Sequence, residues 1–117
     1  MSEAPPVSEL QDALLRTLRG TILAEVRAGE DLTLRQMAVT LTIYLTDVPQ
    51  TVRGMAKHLG VRKPAITRAL DRLSELGLVR RKVELKDRRS VIAERTPAGA
   101  AMLERLREAL AAQKASG

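Results

Sequence analysis

The strongest constraint on the fold is a short interval between two predicted helices, at Gly60-Val61-Arg62. The spacing of apolar residues predicts one helix over Arg53–Leu59 and a second over Lys63–Leu76, which Gly77 ends. A glycine in the interval suits the positive φ angle at the end of the first helix, and Pro64 is tolerated in the first turn of the second. Because the connection is so short, the two helices must pack against each other at an angle. The pattern predicts a helix-turn-helix.

The second of these helices sorts its side chains by face. Its apolar residues recur every three or four positions, at Ile66, Leu70, Leu73 and Leu76. Its other face carries Lys63, Thr67, Arg68, Asp71, Arg72 and Glu75. The N-terminal half of this face is basic, and lysine or arginine donors at the start of an exposed helix suit contacts with guanine in a DNA major groove. The plainer interpretation is an amphipathic helix with a charged exterior.

Two short segments after this helix have the composition of β-strands. Leu78–Val83 and Val91–Arg95 flank a polar tip at Glu84–Ser90, which predicts an antiparallel hairpin. A two-stranded hairpin is marginally stable alone, so it must pack on the helices. Its tip carries Lys86, Arg88 and Arg89. We therefore expect the tip to contact a DNA backbone or minor groove.

Amphipathic helices are also predicted at the two ends of the chain. The first covers about residues 8–28, with Ser8 as its cap and Gly29 as its left-handed terminator. The last begins at Thr96-Pro97 and covers about 97–114. Both exceed what so small a domain needs for its core, so we predict that they form a dimer interface. The alternative is a closed monomer in which they cover the core.

A further helix is predicted over about 34–46. Thr33 and Gln36 form a capping box at its start, and Pro49 follows its end. We expect its core stripe at Leu34, Met37, Ala38, Leu41 and Leu45. A strand is the alternative here, because several β-branched residues lower the helix propensity.

The positive charge is concentrated in the part of the chain that contains these motifs. The chain has 117 residues with 20 Lys+Arg against 14 Asp+Glu, a net charge of +6. Residues 50–95 hold 13 basic and 5 acidic side chains, a net of +8, whereas the remainder carries −2. This distribution is typical of nucleic-acid binding, although an anionic membrane surface would also attract it, and a solvated basic face is the simpler alternative.

Composition argues against several other classes of function. Cysteine is absent and His58 is the single histidine, so the chain has no disulfide, no reactive thiol and no Cys/His zinc site. We expect no enzyme, no cofactor and no metal, because the carboxylate pair Asp71 and Glu75 lies among arginines, where ion pairing is expected. No stretch reaches 18 apolar residues, and the first ten residues lack a basic start. We therefore expect a cytoplasmic protein with no membrane partner.

Together these residues resemble the MarR family of bacterial transcription regulators. The likeness covers about Leu32–Leu110 and is densest in Leu59–Leu73 and Gly77-Leu78-Val79. The family wing pattern Asp-x-Arg, five residues and then Leu-Thr-x-x-Gly occurs as Asp87-Arg88-Arg89 and Arg95-Thr96-Pro97-Ala98-Gly99. The resemblance implies a mainly α fold with a small β-hairpin wing. This is a winged helix-turn-helix with N- and C-terminal dimerisation helices, in one domain over 1–117 with a DNA-binding lobe at about 33–95.

The resemblance also implies a homodimer that regulates transcription by binding an inverted repeat in double-stranded DNA. Helix 63–76 would enter the major groove and wing 84–90 the minor groove. The DNA-binding residues would be Arg53, Arg62, Lys63, Thr67, Arg68, Arg72, Arg80, Arg81, Lys86, Asp87, Arg88 and Arg89. Asp87 would orient the wing arginines, and Arg89 would reach into the minor groove. The alternatives are a winged helix that binds another protein and an architectural protein that binds DNA of any sequence.

The sequence departs from the family pattern in the following ways. Arg62 stands where the family usually has a serine, which removes a cap worth about 1 kcal/mol. Arg95 replaces an apolar residue, and the C-terminal helix is short. Family members often bind small aromatic ligands or sense oxidants through cysteine. With no Cys, Trp or Phe and with Tyr44 as its one aromatic residue, this chain excludes thiol sensing and gives little support for a small-molecule effector in a stacking pocket.

Overall fold

The two helices predicted on either side of Gly60 are present in the structure, a computed structural model that describes residues 6–87 and 90–116. The helices of this part are α1 (Val7–Arg27), α2 (Leu34–Leu45), α3 (Val52–Leu59), α4 (Lys63–Glu75) and α5 (Pro97–Ser116). The strands are β1 (Gln50–Thr51), β2 (Val79–Val83) and β3 (Val91–Arg95). The predicted mainly α fold with a small β wing is confirmed. None of the described helices combines the length and the apolar character needed to cross a bilayer.

The described chain divides into two compact units. One contains the residues up to Asp31 and those from Glu104 onward, and the other is Leu32–Leu103. The second unit holds α2, α3, α4 and the strands, and therefore every described residue that was predicted to bind DNA. The prediction of one domain with dimerisation helices at its ends stays a prediction.

Helix α4 has the face distribution that its sequence predicts. Its stripe of Ile66, Leu70 and Leu73 is fully buried in the core of the second unit, and Leu76 is partly buried just after the helix. The chain leaves α3 through Gly60 at φ +69° and leaves α4 through Gly77 at φ +73°. Both glycines adopt the left-handed conformation that other residues adopt at a cost, so the two predicted helix ends are confirmed.

Helix α2 forms as predicted, but its buried face differs from the prediction. The capping box is present. The backbone amide of Gln36 donates to Thr33 Oγ1 at 3.1 Å, and the backbone amide of Thr33 donates to Gln36 Oε1 at 2.9 Å. Leu34 and Leu45 are 86% and 64% exposed, so the predicted core stripe is wrong at both ends. The buried residues are instead Val39, Thr40, Ile43 and Tyr44. Apolar spacing alone cannot choose between neighbouring stripes of one helix when both contain large side chains.

In the first unit, α1 has nearly the predicted length but lacks the predicted cap. The helix begins at Val7, one residue earlier than predicted, so Ser8 lies inside the first turn and no side chain caps the start. Gly29 ends the helix at φ +93°, as predicted. Glu25 is 3% exposed, and its two carboxylate oxygens accept hydrogen bonds from Nε and Nη2 of Arg105 on α5, both at 3.3 Å. A buried carboxylate needs such a partner, so this pair holds α1 against α5.

The wing belongs to a three-stranded antiparallel sheet in the order β1-β3-β2, whereas the sequence predicted two strands. In the additional strand Gln50 pairs with Ala93 and Thr51 pairs with Ile92. Two residues are too short for a strand pattern to appear in the sequence, which is why β1 was missed. Thr51 also caps α3, because its Oγ1 accepts a hydrogen bond from the Gly54 amide at 2.9 Å. The sheet therefore fixes the start of α3 relative to the wing.

The Tyr44 hydroxyl joins three elements of the second unit. It donates to the carbonyl of Leu78 at 2.6 Å and accepts from the amide of Thr96 at 2.9 Å. These bonds connect α2 to the residue before β2 and to the residue before α5. A Cβ at Gly99 would overlap the Tyr44 hydroxyl and the Leu78 carbonyl, which explains why glycine occupies this position.

Arg95 closes the C-terminal end of α2. Its Nε donates to the Ile43 carbonyl at 3.0 Å, and its Nη2 donates to the Thr46 carbonyl at 2.6 Å. The guanidinium carbon lies 5.8 Å from the centroid of the Tyr44 ring, within the range of a cation–π contact. The last carbonyls of a helix lack helical donors, so Arg95 satisfies groups that an apolar residue would leave to water.

We predict that Tyr44→Phe lowers the free energy of unfolding by about 1–3 kcal/mol, because a buried carbonyl and amide lose their partner. Urea denaturation followed by circular dichroism measures the change. Thr42→Val is the matched control, since the hydroxyl that it removes donates to the Ala38 carbonyl within the same helix, at 2.7 Å. Equal losses in the two variants would contradict a connecting role for Tyr44.

Candidate nucleic-acid interface

A groove of about 690 Å³ lies between the start of α3, the first half of α4 and the wing. We call it the α4–wing groove. Its lining residues are Thr51, Val52, Arg53, Lys63, Pro64, Thr67, Arg68, Asp87, Ser90 and Val91. Five of the twelve predicted DNA-binding residues are among them: Arg53, Lys63, Thr67, Arg68 and Asp87. The structure therefore brings five of the predicted residues, from two helices and the wing, to one continuous surface.

Local structure explains why these side chains face the same groove. Arg53 lies in the first turn of α3, which the Thr51 cap and the β1 pairing hold beside the wing. On α4, residues three and four positions apart share a face, so Thr67 and Arg68 lie one turn beyond Pro64. All these α4 side chains are exposed. The apolar stripe on the other side of α4 fixes this orientation.

The lining is positively charged and rich in hydrogen-bond donors. Of the described lining residues, Arg53, Lys63 and Arg68 are positively charged and Asp87 is negatively charged. The guanidinium, ammonium and hydroxyl groups donate to phosphate oxygens or to the acceptor edges of bases. The groove thus offers a surface for a polyanion whose building blocks present many acceptors.

The start of α4 adds to this positive surface. Arg62 occupies the N-cap position, and no side chain bonds to the first amides of the helix, which confirms the predicted loss of a cap. The Lys63 amide at the first position of the helix has no side-chain cap and carries part of the positive charge of a helix N-terminus. Arg62 is exposed and follows Gly60 and Val61, where the chain turns from α3 to α4.

Other predicted site residues are held in ion pairs along α4. Arg81 of β2 pairs with Asp71, and Nη1 of Arg72 lies 3.3 Å from Oε2 of Glu75. The expectation that these two carboxylates pair with arginines is confirmed. The second half of the exposed α4 face is therefore partly neutralised, in contrast to the first half.

Among the described residues, the other predicted ones are not part of the lining of the α4–wing groove. Arg80 borders a separate hollow with Ser74 and Thr96, and Lys86 borders another with Val48 and Val83. Arg88 and Arg89 lie outside the described residues, and so does the predicted contact of Arg89 with Asp87. The structure thus distributes the described basic residues over several surfaces, which their positions in the sequence did not indicate.

Pro64 lines the groove although the sequence pattern did not predict it as a site residue. It was assigned only to the first turn of α4, yet its ring is exposed at the groove between Lys63 and Thr67. The signal was present in the sequence as an apolar residue on the polar face of the helix.

The described residues, 6–87 and 90–116, contain no group of three His, Cys, Asp or Glu side chains that could hold a metal ion.

The profile of the MarR family matches residues 30–91, just over half of the chain and all of the helix-turn-helix. The chain belongs to the MarR family. It is thus a winged-helix protein of a family of DNA-binding transcription regulators. No curated protein matches its sequence.

Solved structures share the fold of this MarR-family chain. A transcriptional regulator from Thermotoga maritima has 22% identity and a TM-score of 0.75, covering 88% of this chain and 70% of its own. A MepR variant from S. aureus, bound to an oligodeoxyribonucleotide, has 17% identity and a TM-score of 0.81, with 97% and 82% coverage. Wild-type MarR from E. coli in its apo form has 28% identity and a TM-score of 0.66, with 92% and 78% coverage.

We predict that the Asp71–Arg81 pair contributes little to stability. A double-mutant cycle with Asp71→Ala and Arg81→Ala should give a coupling free energy of about 0.2–1 kcal/mol, because the side chains are 51% and 38% exposed. Urea denaturation of the four proteins measures it. The Arg72–Glu75 pair is the comparison and should give about 0.2–0.5 kcal/mol. A coupling above about 2 kcal/mol would show that the first pair is a structural element of the fold.

Proposed function

We propose that this MarR-family chain is a transcription regulator that binds an inverted repeat in double-stranded DNA as a homodimer. The observation that carries the proposal is the shared groove of Lys63, Thr67 and Arg68 with the wing. An α-helix fits the major groove of B-DNA, and its N-terminal residues then contact base edges. Such a regulator acts on the chromosome in the bacterial nucleoid.

The position of the α4–wing groove suits one strand of a duplex. When a helix lies in the major groove and a hairpin in the adjacent minor groove, the phosphate backbone between the two grooves passes between helix and hairpin. The α4–wing groove has this position and carries Arg53, Lys63 and Arg68. We assign Arg53 and Lys63 to phosphate contacts and Arg68 to a guanine.

A structural relative supports this arrangement. The S. aureus MepR variant was solved with an oligodeoxyribonucleotide bound, and its fold matches 97% of this chain. Likeness of fold at 17% identity does not transfer individual contacts. The assignment of residues therefore rests on the groove of this chain.

The apolar surface of α1 supports the homodimer. Large apolar side chains of this helix are exposed at Val7, Leu10, Leu14, Leu15, Leu18, Ile22 and Val26. A row of this length is costly in water and is typical of a protein interface. A second copy offers the same row, and a two-fold dimer places two α4 helices on two half-sites.

The structure gives Tyr44 a structural role in place of a role in binding an aromatic effector. The ring of Tyr44, the one aromatic residue of the chain, is buried and holds α2, the wing and the start of α5 together. It is therefore not available to stack on a ligand.

We predict that Arg68→Ala weakens binding to a cognate duplex by about 1–3 kcal/mol, because a bidentate guanine contact is lost. The probe is a fluorescent duplex enriched by this protein from a random pool, titrated by anisotropy at one salt concentration. Arg72→Ala is the matched control, since Arg72 lies one turn further along α4 and pairs with Glu75. It should cost less. If Arg68→Ala weakens the enriched and a scrambled duplex equally, Arg68 does not contact a base.

We predict that Leu14→Glu converts the dimer into a monomer, because a buried interfacial charge without a partner is unfavourable. Light scattering should show the mass fall from about twice the 12.8 kDa of the chain to a single chain mass. Leu14 is 70% exposed within one chain, so its substitution should leave the circular dichroism spectrum unchanged. Leu34→Glu, at an 86% exposed position on α2, is the control and should remain dimeric. A monomeric wild-type protein would refute the dimer.

A further inference from the structure

Pro64 is the one apolar residue among the exposed α4 side chains that line the α4–wing groove. It lies in the first turn of α4, is exposed, and lines the α4–wing groove beside Lys63, Thr67 and Arg68. A role in starting the helix explains a proline at this position, since its missing N–H is not needed there. Starting the helix does not require the ring to face any particular surface. It therefore does not explain why the ring faces the surface with the proposed DNA contacts.

Only one methyl group is exposed in the major groove, and it belongs to thymine. Adenine, guanine and cytosine present donors and acceptors there, whereas thymine also presents its C5 methyl group. A proline ring offers no hydrogen bond to a base edge but buries a methyl group well. It is also rigid, so no side-chain rotamer freedom is lost on binding.

The spacing on α4 relates Pro64 to Arg68. Residues four positions apart share a helix face and lie about 6 Å apart along the axis, at 1.5 Å per residue. Successive base pairs are about 3.4 Å apart. A base contacted by Pro64 therefore lies within about two base pairs of a base contacted by Arg68.

We propose that Pro64 determines sequence preference by contacting the methyl group of a thymine within about two base pairs of the guanine bound by Arg68. The inference rests on the proposed function and specifies the DNA sequence that it requires. Thr67 has a methyl group one turn from Pro64 on the same face, so it is the competing candidate for this contact.

Replacement of thymine by uracil tests the contact, because it removes only the C5 methyl group. The probe is the duplex enriched from a random pool, with each thymine replaced in turn and affinity measured by anisotropy. For the wild-type protein we expect one position in each half-site at which uracil weakens binding about fourfold, the value of one buried CH₂ group. For Pro64→Ser we expect equal affinity for thymine and uracil at that position, and an affinity for the uracil duplex close to that of wild type.

Thr67→Ser is the matched control, since it removes a methyl group and retains the hydroxyl. It should keep the fourfold preference for thymine, and circular dichroism should show both variants folded. If Thr67→Ser abolishes the preference and Pro64→Ser retains it, or if uracil is tolerated at every position, Pro64 does not contact thymine while the proposed DNA binding stands. If no duplex is enriched from the pool, the proposed function fails and the inference fails with it.

Discussion

The second unit depends on one hydroxyl group, that of Tyr44. Its bonds to the Leu78 carbonyl and the Thr96 amide cross 34 and 52 positions of the chain. Both bonded groups lie where the chain enters or leaves the wing, so they fix the base of the hairpin against α2. The orientation of the wing relative to α4, and with it the width of the α4–wing groove, follows from this anchoring. Arg95 strengthens it by bonding the end of α2 beside the same ring.

Local interactions could be predicted from the sequence, and contacts between distant segments could not. The turn at Gly60, the capping box of Thr33 and Gln36 and the buried stripe of α4 each depend on residues within a few positions of one another. The buried face of α2 depends on where Tyr44 finds its bonding partners, and these lie in other elements. Strand β1 exists only because β3 is beside it, so its two residues give no pattern of their own.

The candidate site shows the same division. The residue types on the first half of α4 predicted the donors that line the groove. Arg72 and Arg81 were also among the predicted DNA-binding residues, but their positive charges are partly balanced by Glu75 and Asp71. A count of charges cannot show which cations are paired, because pairing depends on side chains brought together by the fold. The network around Tyr44 likewise shows that Arg95, a departure from the family pattern, has a structural function.

The order of the sheet also bears on how copies of this protein meet. Strand β2 lies at one side of the sheet, so one row of its backbone groups has no neighbouring strand within the described residues. An unpaired edge of this kind invites a second copy to add a strand, which leads to uncontrolled association. Arg80 and Lys82 lie in this strand beside Arg81, which pairs with Asp71, and two such strands would bring the four positive charges of Arg80 and Lys82 together. Electrostatic repulsion therefore protects the edge against self-association.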